Sequence, residues 1–243
     1  MKLFKLFCLI VILFCSTPNL FGAEQIHQIQ AQNILDKVNS SYLKLKSYQD
    51  SGILSTAYNT INFETYFVRP NLFLFKWVEQ RDELSPKTLR KEKVSRYFAI
   101  WSDGLNFNEH YYYNDDSNEG VIKVKSLNNL IAGATGISLG AASKVSSLLI
   151  LDISSRPTTL LGNPILLGTQ IVQGKECYHI GGTRADGDWD IEIWISKNDY
   201  LIRKYKRTSE KITAETIYKT VKSDHSIPNS IFNFDQKGTG ITN

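Results

Sequence analysis

Cysteine is scarce in this 243-residue chain, which contains three. Cys8 and Cys15 lie close to the N-terminus, and Cys177 stands alone in the strand-like run KECYHIGG. Once the N-terminal segment is removed, a single thiol remains and an internal disulfide is excluded. We expect Cys177 to be a buried, unreactive thiol.

Histidine is almost as scarce, and no two of the four histidines have a spacing that would let them share a metal ion. No glycine-rich phosphate loop follows a predicted strand. The carboxylate pairs at 115–116 and 186/188 lie in turn-like polar segments, where solvation explains them more simply than catalysis. The sequence therefore predicts neither a metal site nor a cofactor.

Long apolar runs are also missing. The run Leu6–Phe14 is far shorter than the roughly 20 residues that a membrane-spanning helix needs. It follows Lys2 and Lys5 and precedes small residues, which is the order of a secretory signal peptide. We expect residues 1–23 to be that signal, cleaved near residue 22 or 23, rather than a membrane anchor or a lipid anchor on Cys15.

Charge is nearly balanced once the signal is removed. The loss of Lys2 and Lys5 leaves 26 of the 28 basic residues against 24 acidic residues, a net charge of +2. Because no long basic block remains, nucleic acid is not an expected partner.

Aromatic residues are abundant, with 12 Tyr, 12 Phe and 4 Trp in short runs that alternate with polar residues. These runs and their turn residues predict about eleven antiparallel strands in one sheet, and the charged run 79–93 is expected to be a solvated connection. An amphipathic helix precedes the strands, because apolar residues recur at helical spacing: Ile34, Leu35, Val38, Tyr42 and Leu45.

Residues 126–152 form the only later segment with helical spacing. We expect two short helices joined by a flexible, glycine-containing link. The link includes GISLG, Gly136–Gly140, which fits the Gly-x-Ser-x-Gly pattern of a hydrolase nucleophile elbow. A serine hydrolase using Ser138 is a remote alternative, since an elbow needs a buried parallel strand before it. Its acid and base would have to come from Asp152, Asp186 and His225.

The strands carry more apolar side chains than one buried face needs. Leu72–Trp77 and the run around Tyr97–Trp101 are apolar on both faces. A curved sheet wrapped round the central helices could leave an apolar hollow, or the rings could pack into a filled core. The residues alone leave both possibilities open.

The run FVRPNLFLFKW, Phe67–Trp77, resembles the Arg-Pro-centred strand of the outer-membrane lipoprotein carrier family, the Lol-type periplasmic chaperones. The resemblance continues in order through most of the mature chain. It includes the opening helix, the hairpin IWSDGLNF, the mid-chain helices, the strand pair WDIEIWISKNDYLIRKYKR, the run TAETIYKTV and the ending IFNFDQKG.

This resemblance implies a mainly β (α+β) fold, with an incomplete antiparallel barrel of about eleven strands wrapped round lid helices. Residues 24–243 would form one such domain in the periplasm, with 126–152 as the lid. The protein would be a carrier and not an enzyme. It would hold acyl chains of lipoproteins, or another lipid, between an inner-membrane releasing complex and an outer-membrane acceptor.

The resemblance also implies site residues. The apolar cavity would be lined by Leu72, Phe73, Phe75, Trp77, Phe98, Ile100, Trp101, Ile191, Ile193 and Ile195. The lid would contribute Leu130, Ile131, Leu139, Val145 and Leu149. Arg69 would hold the lid shut by hydrogen bonds to lid-helix backbone.

Two features depart from the carrier pattern. The charged segment Glu79–Lys93 is long, and the ending FDQKG lacks the proline that commonly precedes the final Lys-Gly or Arg-Gly step. Receptors and parts of envelope-stress sensors also have this fold. An envelope sensor or structural module with no transport role is therefore the main alternative.

Overall fold

The computed structural model describes residues 20–84, 91–112, 121–150, 161–184, 187 and 189–233. Most of the expected signal peptide lies outside the described residues. No helix in the described part has both the length and the apolar character needed to cross a membrane.

The described residues form one antiparallel sheet of eleven strands, as the sequence predicts, with four helical segments. The described part of the segment 126–152 contains three short helices and not the two that were expected, because a break at Val145 separates the last two. The strands are β1 (Ser47–Ser55), β2 (Asn59–Val68), β3 (Leu72–Leu84), β4 (Lys91–Asp103), β5 (Phe107–Tyr112), β6 (Val121–Val124), β7 (Leu161–Val172), β8 (Lys175–Arg184), β9 (Asp190–Ser196), β10 (Ile202–Thr208) and β11 (Thr213–Ser223). The helices are α1 (Leu20–Lys44), α2 (Leu127–Ile137), α3 (Ala141–Lys144) and α4 (Ser146–Leu149), and a 3-10 turn spans Asn229–Phe232.

The strand order is β6-β5-β4-β3-β2-β1-β11-β10-β9-β8-β7, so the sheet is open, with β6 and β7 at its edges. Each half is a meander of neighbouring strands, and the halves join where β1 pairs with β11. Residues 125–160 connect one edge strand to the other and contain α2, α3 and α4. The helical segment is therefore an insertion between the two halves of one sheet.

Helix α1 packs its predicted apolar face against the fold. Ile34, Leu35, Val38 and Tyr42 are buried, as is Leu45 directly after the helix. The Tyr42 hydroxyl accepts a hydrogen bond of 3.0 Å from the backbone amide of Ile202, which ties α1 to the start of β10. The predicted amphipathic helix is confirmed.

The sheet buries apolar side chains on both faces, and they alternate along each strand because successive side chains point to opposite sides. On β3, Phe73, Phe75 and Trp77 belong to the large core on the side of the helices, which we call the inner face. Leu72 and Leu74 lie on the opposite, outer face, with the 3-10 turn and Phe232.

The charged run 79–93 is not the solvated connection that the sequence suggested. Strand β3 continues to Leu84 and β4 begins at Lys91, while residues 85–90 lie outside the described part. Glu83 accepts hydrogen bonds from Arg81 on its own strand and from Arg96 on β4, the latter at 2.8 Å. The pair between Arg96 and Glu83 joins β3 to β4.

Candidate functional site: the inner face and its helical cover

A row of aromatic side chains crosses the inner face. Phe98, Trp77 and Phe63 lie directly opposite one another on β4, β3 and β2, and Gly52 on β1 lies between Phe63 and Tyr218 of β11. The Trp77 and Phe98 rings stack at 4.8 Å, and the Phe63 and Tyr218 rings meet edge to face at 5.7 Å. We call these five residues the aromatic row.

Gly52 allows the aromatic row to cross β1. A Cβ atom at this position would lie 2.4 Å from Cζ of Phe63 and 2.7 Å from the carbonyl oxygen of Ile217. The Phe63 ring occupies the space that a side chain would fill, and so reaches Tyr218 two strands away.

Most of the predicted lining residues share the inner face. Eight of the ten are buried in the core on that side: Phe73, Phe75, Trp77, Phe98, Ile100, Ile191, Ile193 and Ile195. Leu72 and Trp101 instead lie on the outer face with Ile227 and Phe232, because each is an odd number of positions from its inner-facing neighbours. The predicted place of Leu72 and Trp101 in the cavity lining is therefore wrong.

The inner face is covered by α2, α3 and α4, residues 127–149, which we call the cover. Ser126 caps the start of α2, its hydroxyl accepting a hydrogen bond from the Asn129 amide at 3.2 Å. The underside of the cover is apolar and buried in the same core as the sheet: Leu127, Leu130, Ile131, Ala134, Ala141, Ala142, Val145, Leu148 and Leu149. Leu139 packs against that core while remaining partly exposed. The cover's own side chains therefore occupy the inner face.

The cover bends at Ser138–Gly140. Leu139 and Gly140 have φ angles of 51° and 84°, in the left-handed region that a leucine adopts only with strain. The Ser138 side chain is fully buried; its hydroxyl accepts a 3.1 Å hydrogen bond from the Ala142 amide and donates to the Thr135 carbonyl at 3.4 Å. The GISLG segment is a joint between helices, and its serine holds the two sides together.

The groups proposed as partners of a nucleophilic Ser138 do not meet it among the described residues. Nε2 of His225 lies 2.9 Å from Oε1 of Gln49, and Asp152 and Asp186 lie outside the described part. Cys177 is fully buried, and burial raises the pKa of its thiol, as expected for an inert cysteine. No group of three potential metal ligands occurs among the described residues.

Arg69 contacts a different helix from the one the resemblance implied. Its Nε and Nη2 donate to the carbonyls of Leu45 and Tyr42, at 2.7 and 3.1 Å. Tyr42 lies in the last turn of α1 and Leu45 directly follows it, where carbonyls lack their regular intrahelical partners. The Tyr42 carbonyl also accepts from the Leu45 amide, at 3.3 Å. Arg69 therefore anchors α1 to β2, and its predicted contact with the lid helices is wrong.

Arg207 on β10 is the arginine that reaches the cover. Its Nη2 donates to the carbonyl of Leu139 at 3.1 Å, and its guanidinium lies 4.8 Å from the centre of the Trp189 ring. The hydrogen bond fixes the strained residue of the joint. Sequence reasoning missed Arg207 because its strand, YLIRKYKR, contains several cations that alternate between the two faces.

Lys144 is the second residue that sequence reasoning missed. It is 5% exposed, and its Nζ lies 5.2 Å from the centre of the Tyr205 ring. Burial, together with the nearby Arg207 charge, lowers its pKa from 10.5 to about 7. The sequence does single out Lys144, because it is the one ionisable residue between Ser126 and Ile150.

A buried carboxyl lies at the other end of the inner face, beneath α1. Asp50 on β1 is fully buried and accepts a 2.9 Å hydrogen bond from the Tyr48 hydroxyl. Burial raises its pKa from 3.8 to about 7, although hydrogen bonds from Thr65 and Tyr48 act against the rise. It is a polar element of the core.

These features define a class of protein: an open antiparallel half-barrel with a jointed helical cover on its inner face, as the sequence resemblance implied. The family described as "Predicted periplasmic protein (DUF2092)" matches residues 96–237. The chain belongs to this family, and it is a periplasmic protein, as its N-terminal segment predicts.

Solved structures with a similar course of the chain include the lipoprotein LppX of Mycobacterium tuberculosis, at 11% identity and a TM-score of 0.49, with 82% of this chain and 97% of that chain covered. A putative outer membrane lipoprotein-sorting protein domain of Vibrio parahaemolyticus has 9% identity and a TM-score of 0.38, with 85% and 97% covered. MucB of Pseudomonas aeruginosa, in complex with MucA, has 13% identity and a TM-score of 0.41, with 84% and 60% covered. The comparison with curated proteins gives no match.

Proposed function

We propose that this periplasmic protein binds the acyl chains of a lipoprotein, or of another lipid, between the inner face and the cover, and carries them towards the outer membrane. The observation that carries the proposal is the nature of the cover: two apolar surfaces are closed on each other by an insertion with a joint, rather than by a second layer of sheet.

An acyl chain in this position would touch apolar side chains on both sides. The sheet offers the aromatic row, and the cover offers residues such as Leu130 and Ile131. Transfer of each methylene from water into such surroundings gains about 0.8 kcal/mol. When the cover lifts, a chain of ordinary length therefore fills the space between the two apolar surfaces and keeps both of them out of water.

The strained joint lowers the free energy needed to lift the cover. The left-handed backbone at Leu139 costs on the order of 1 kcal/mol, and it is held in place by the hydrogen bond from Arg207. Breaking that bond frees the strained residue to relax. Arg207 thus takes the latch role that the resemblance assigned to Arg69.

The test is extraction of the protein purified from the periplasm with organic solvent, followed by mass spectrometry. We expect acyl species at a fixed ratio to protein. Ile131→Asp, on the buried underside of α2, should abolish them, because a carboxylate would face the acyl chain. Ile137→Asp is the matched control: it changes the same residue type on the same helix, where Ile137 is 40% exposed and Ile131 is 2% exposed.

A wild-type protein that releases no acyl species, and takes up none when reloaded after delipidation, would overturn the proposal. That result would favour the alternative of an envelope sensor or structural module whose inner face is occupied by its own cover. Co-purification of a protein partner in place of lipid would identify the sensor.

A further inference from the structure

Two cationic side chains meet beneath the joint of the cover. A Cβ atom built at Gly140 would lie 3.7 Å from Nζ of Lys144 and 3.8 Å from Nη1 of Arg207, so both groups border the same small space. Gly140 has a φ of 84° and carries no side chain to fill it. The space is bounded by Tyr205, whose ring lies under the Lys144 amine.

Neither cation is matched by a carboxylate in the described part of the chain. Nζ of Lys144 and Nε of Arg207 are buried there without a hydrogen-bond partner. The charged and titratable groups that act on the pair are Lys144 and Arg207 themselves, Tyr205 on the same strand as Arg207, and Arg184 at the end of β8. Helices α2 and α4, which flank Lys144 in the chain, contain no ionisable residue.

Such an arrangement is costly unless something compensates it. A buried cation without a partner loses its hydration, and a second cation beside it adds repulsion. The packing of the cover does not require a charge at this position, since its other buried side chains are apolar or small and uncharged. A bound anion would compensate both groups.

We propose that the space at Gly140, between Lys144 and Arg207, binds the anionic group of the acyl ligand, a carboxylate or a phosphate. This inference rests on the proposed function and specifies its ligand class as an anionic amphiphile. The apolar chain lies along the inner face, and the anionic group lies at the joint.

Occupation of this site would also act on the joint. The Arg207 guanidinium donates to a neutral acceptor, the Leu139 carbonyl. A guanidinium binds a carboxylate or phosphate through two parallel N–H donors and with full charge attraction, which a single neutral carbonyl does not offer. The anion therefore competes for Arg207 and releases Leu139, so that binding of the headgroup and opening of the cover become one event.

The experiment compares two probes with the same twelve-carbon chain, dodecanoate with an anionic headgroup and dodecanol with a neutral one, by calorimetric titration of the delipidated mature protein. The probes are kept below the micelle concentration of dodecanoate and the solubility limit of dodecanol. We expect dodecanoate to bind about tenfold more tightly or better, since one charge-assisted hydrogen bond is worth about that factor. Lys144→Gln and Arg207→Gln should each remove the preference, measured as the ratio of the two affinities. Arg207→Gln should also strengthen the binding of both probes, because it removes the hydrogen bond that holds the cover. Lys144→Arg should retain the preference.

Lys206→Gln is the matched control. Lys206 neighbours Arg207 on β10 but bonds to Glu192 at 2.7 Å on the other face, so this change should leave the preference intact. Inorganic phosphate alone distinguishes a free anion from a headgroup. If phosphate competes with dodecanoate but not with dodecanol, the site accepts the anionic group without its chain.

The outcomes separate the two proposals. Equal affinity of the wild-type protein for both probes, or a preference that survives in both glutamine variants, overturns the anionic site and leaves acyl binding standing. Failure of both probes to bind overturns acyl binding, and the headgroup assignment with it, even if phosphate still binds. Circular dichroism of each variant establishes that it has the wild-type fold.

Discussion

At the scale of single residues, the buried amine of Lys144 lowers the stability of the protein at neutral pH. The folded protein releases this proton at about pH 7, whereas the unfolded chain holds it until about pH 10.5. Unfolding therefore takes up a proton between these values, and the free energy of unfolding rises with pH across this window, by at most about 1.4 kcal/mol per pH unit.

Replacement of Lys144 by Met should raise the free energy of unfolding. The gain should be largest at and below pH 7 and should vanish near pH 10.5, because methionine has no proton to lose. Urea denaturation at pH 6, 7.5 and 9 measures it. Lys206→Met, at a half-buried ion pair, should show no such gain. Equal stability of wild type and Lys144→Met at pH 6 would contradict the prediction.

Asp50 produces the opposite dependence. The folded carboxyl keeps its proton up to about pH 7, whereas the unfolded one loses it near pH 3.8. Unfolding releases a proton between these values, so the free energy of unfolding falls as the pH rises from about 4 to 7 and stays low above that. Together, the two groups place a minimum of stability near pH 7.

Asp50→Asn should remove the fall in the free energy of unfolding between pH 4 and 7. Its amide oxygen can still accept the hydrogen bond from Tyr48, and it carries no charge at any pH. We expect a gain on the order of 2–4 kcal/mol at pH 8 and none at pH 4, measured by urea denaturation. A gain of the same size at both pH values would show that packing, not titration, is responsible.

At the scale of elements, the aromatic row depends on the one strand that contributes no side chain to it. Gly52→Ala should push the Phe63 ring away from β1 and strain the backbone near Ile217, since both contacts would be shorter than real Cβ contacts. We expect a loss of about 1–3 kcal/mol. Thermal denaturation should show it as a lower midpoint.

Gly136→Ala provides the control for that change. A Cβ atom at Gly136 would have no atom within 4 Å, and the residue lies in α2. Alanine has the higher helix propensity, so this variant should gain up to about 1 kcal/mol. Equal effects of the two substitutions would contradict the steric argument.

Period and turn chemistry sufficed to predict most of the elements. The spacing of Leu35, Val38 and Tyr42 predicts α1, and all three are buried. The Asp103-Gly104 pair predicts a tight turn, and Gly104 has a φ of 96° between β4 and β5. These signals are local, and no distant residue is needed to interpret them.

The site could be predicted only in part, because its contacts join distant parts of the chain. The alternation of side chains along a strand shows that Leu72 and Trp101 point to the opposite face from their neighbours. It does not show which of the two faces the helices cover. Arg69 and Arg207 both donate to backbone carbonyls at or near helix ends, and only the tertiary arrangement decides that Arg69 contacts the end of α1 and Arg207 contacts the cover. The charged run 79–93 has the composition of a loop. It forms strands because some of its charges pair with residues on the facing strand, which the local sequence does not reveal.

At the scale of the whole molecule, the latch can be tested by hydrogen exchange. Arg207→Leu should accelerate amide exchange across residues 127–149 and leave the central strands β1–β3 protected, because only the cover loses its hold. Arg69→Leu should instead act on the end of α1. Exchange of the cover that is faster in Arg69→Leu than in Arg207→Leu would restore the original assignment.

The path of the chain has a mechanical consequence. Residues 125–160 connect β6 to β7, the two edge strands of the open sheet, so the number of residues in this connection sets an upper limit on the distance between the two edges. Under the proposed function, this limit restricts how far the sheet can open when the cover lifts. Relatives with a longer connection should then accept bulkier ligands, and those with a shorter one only slender ligands.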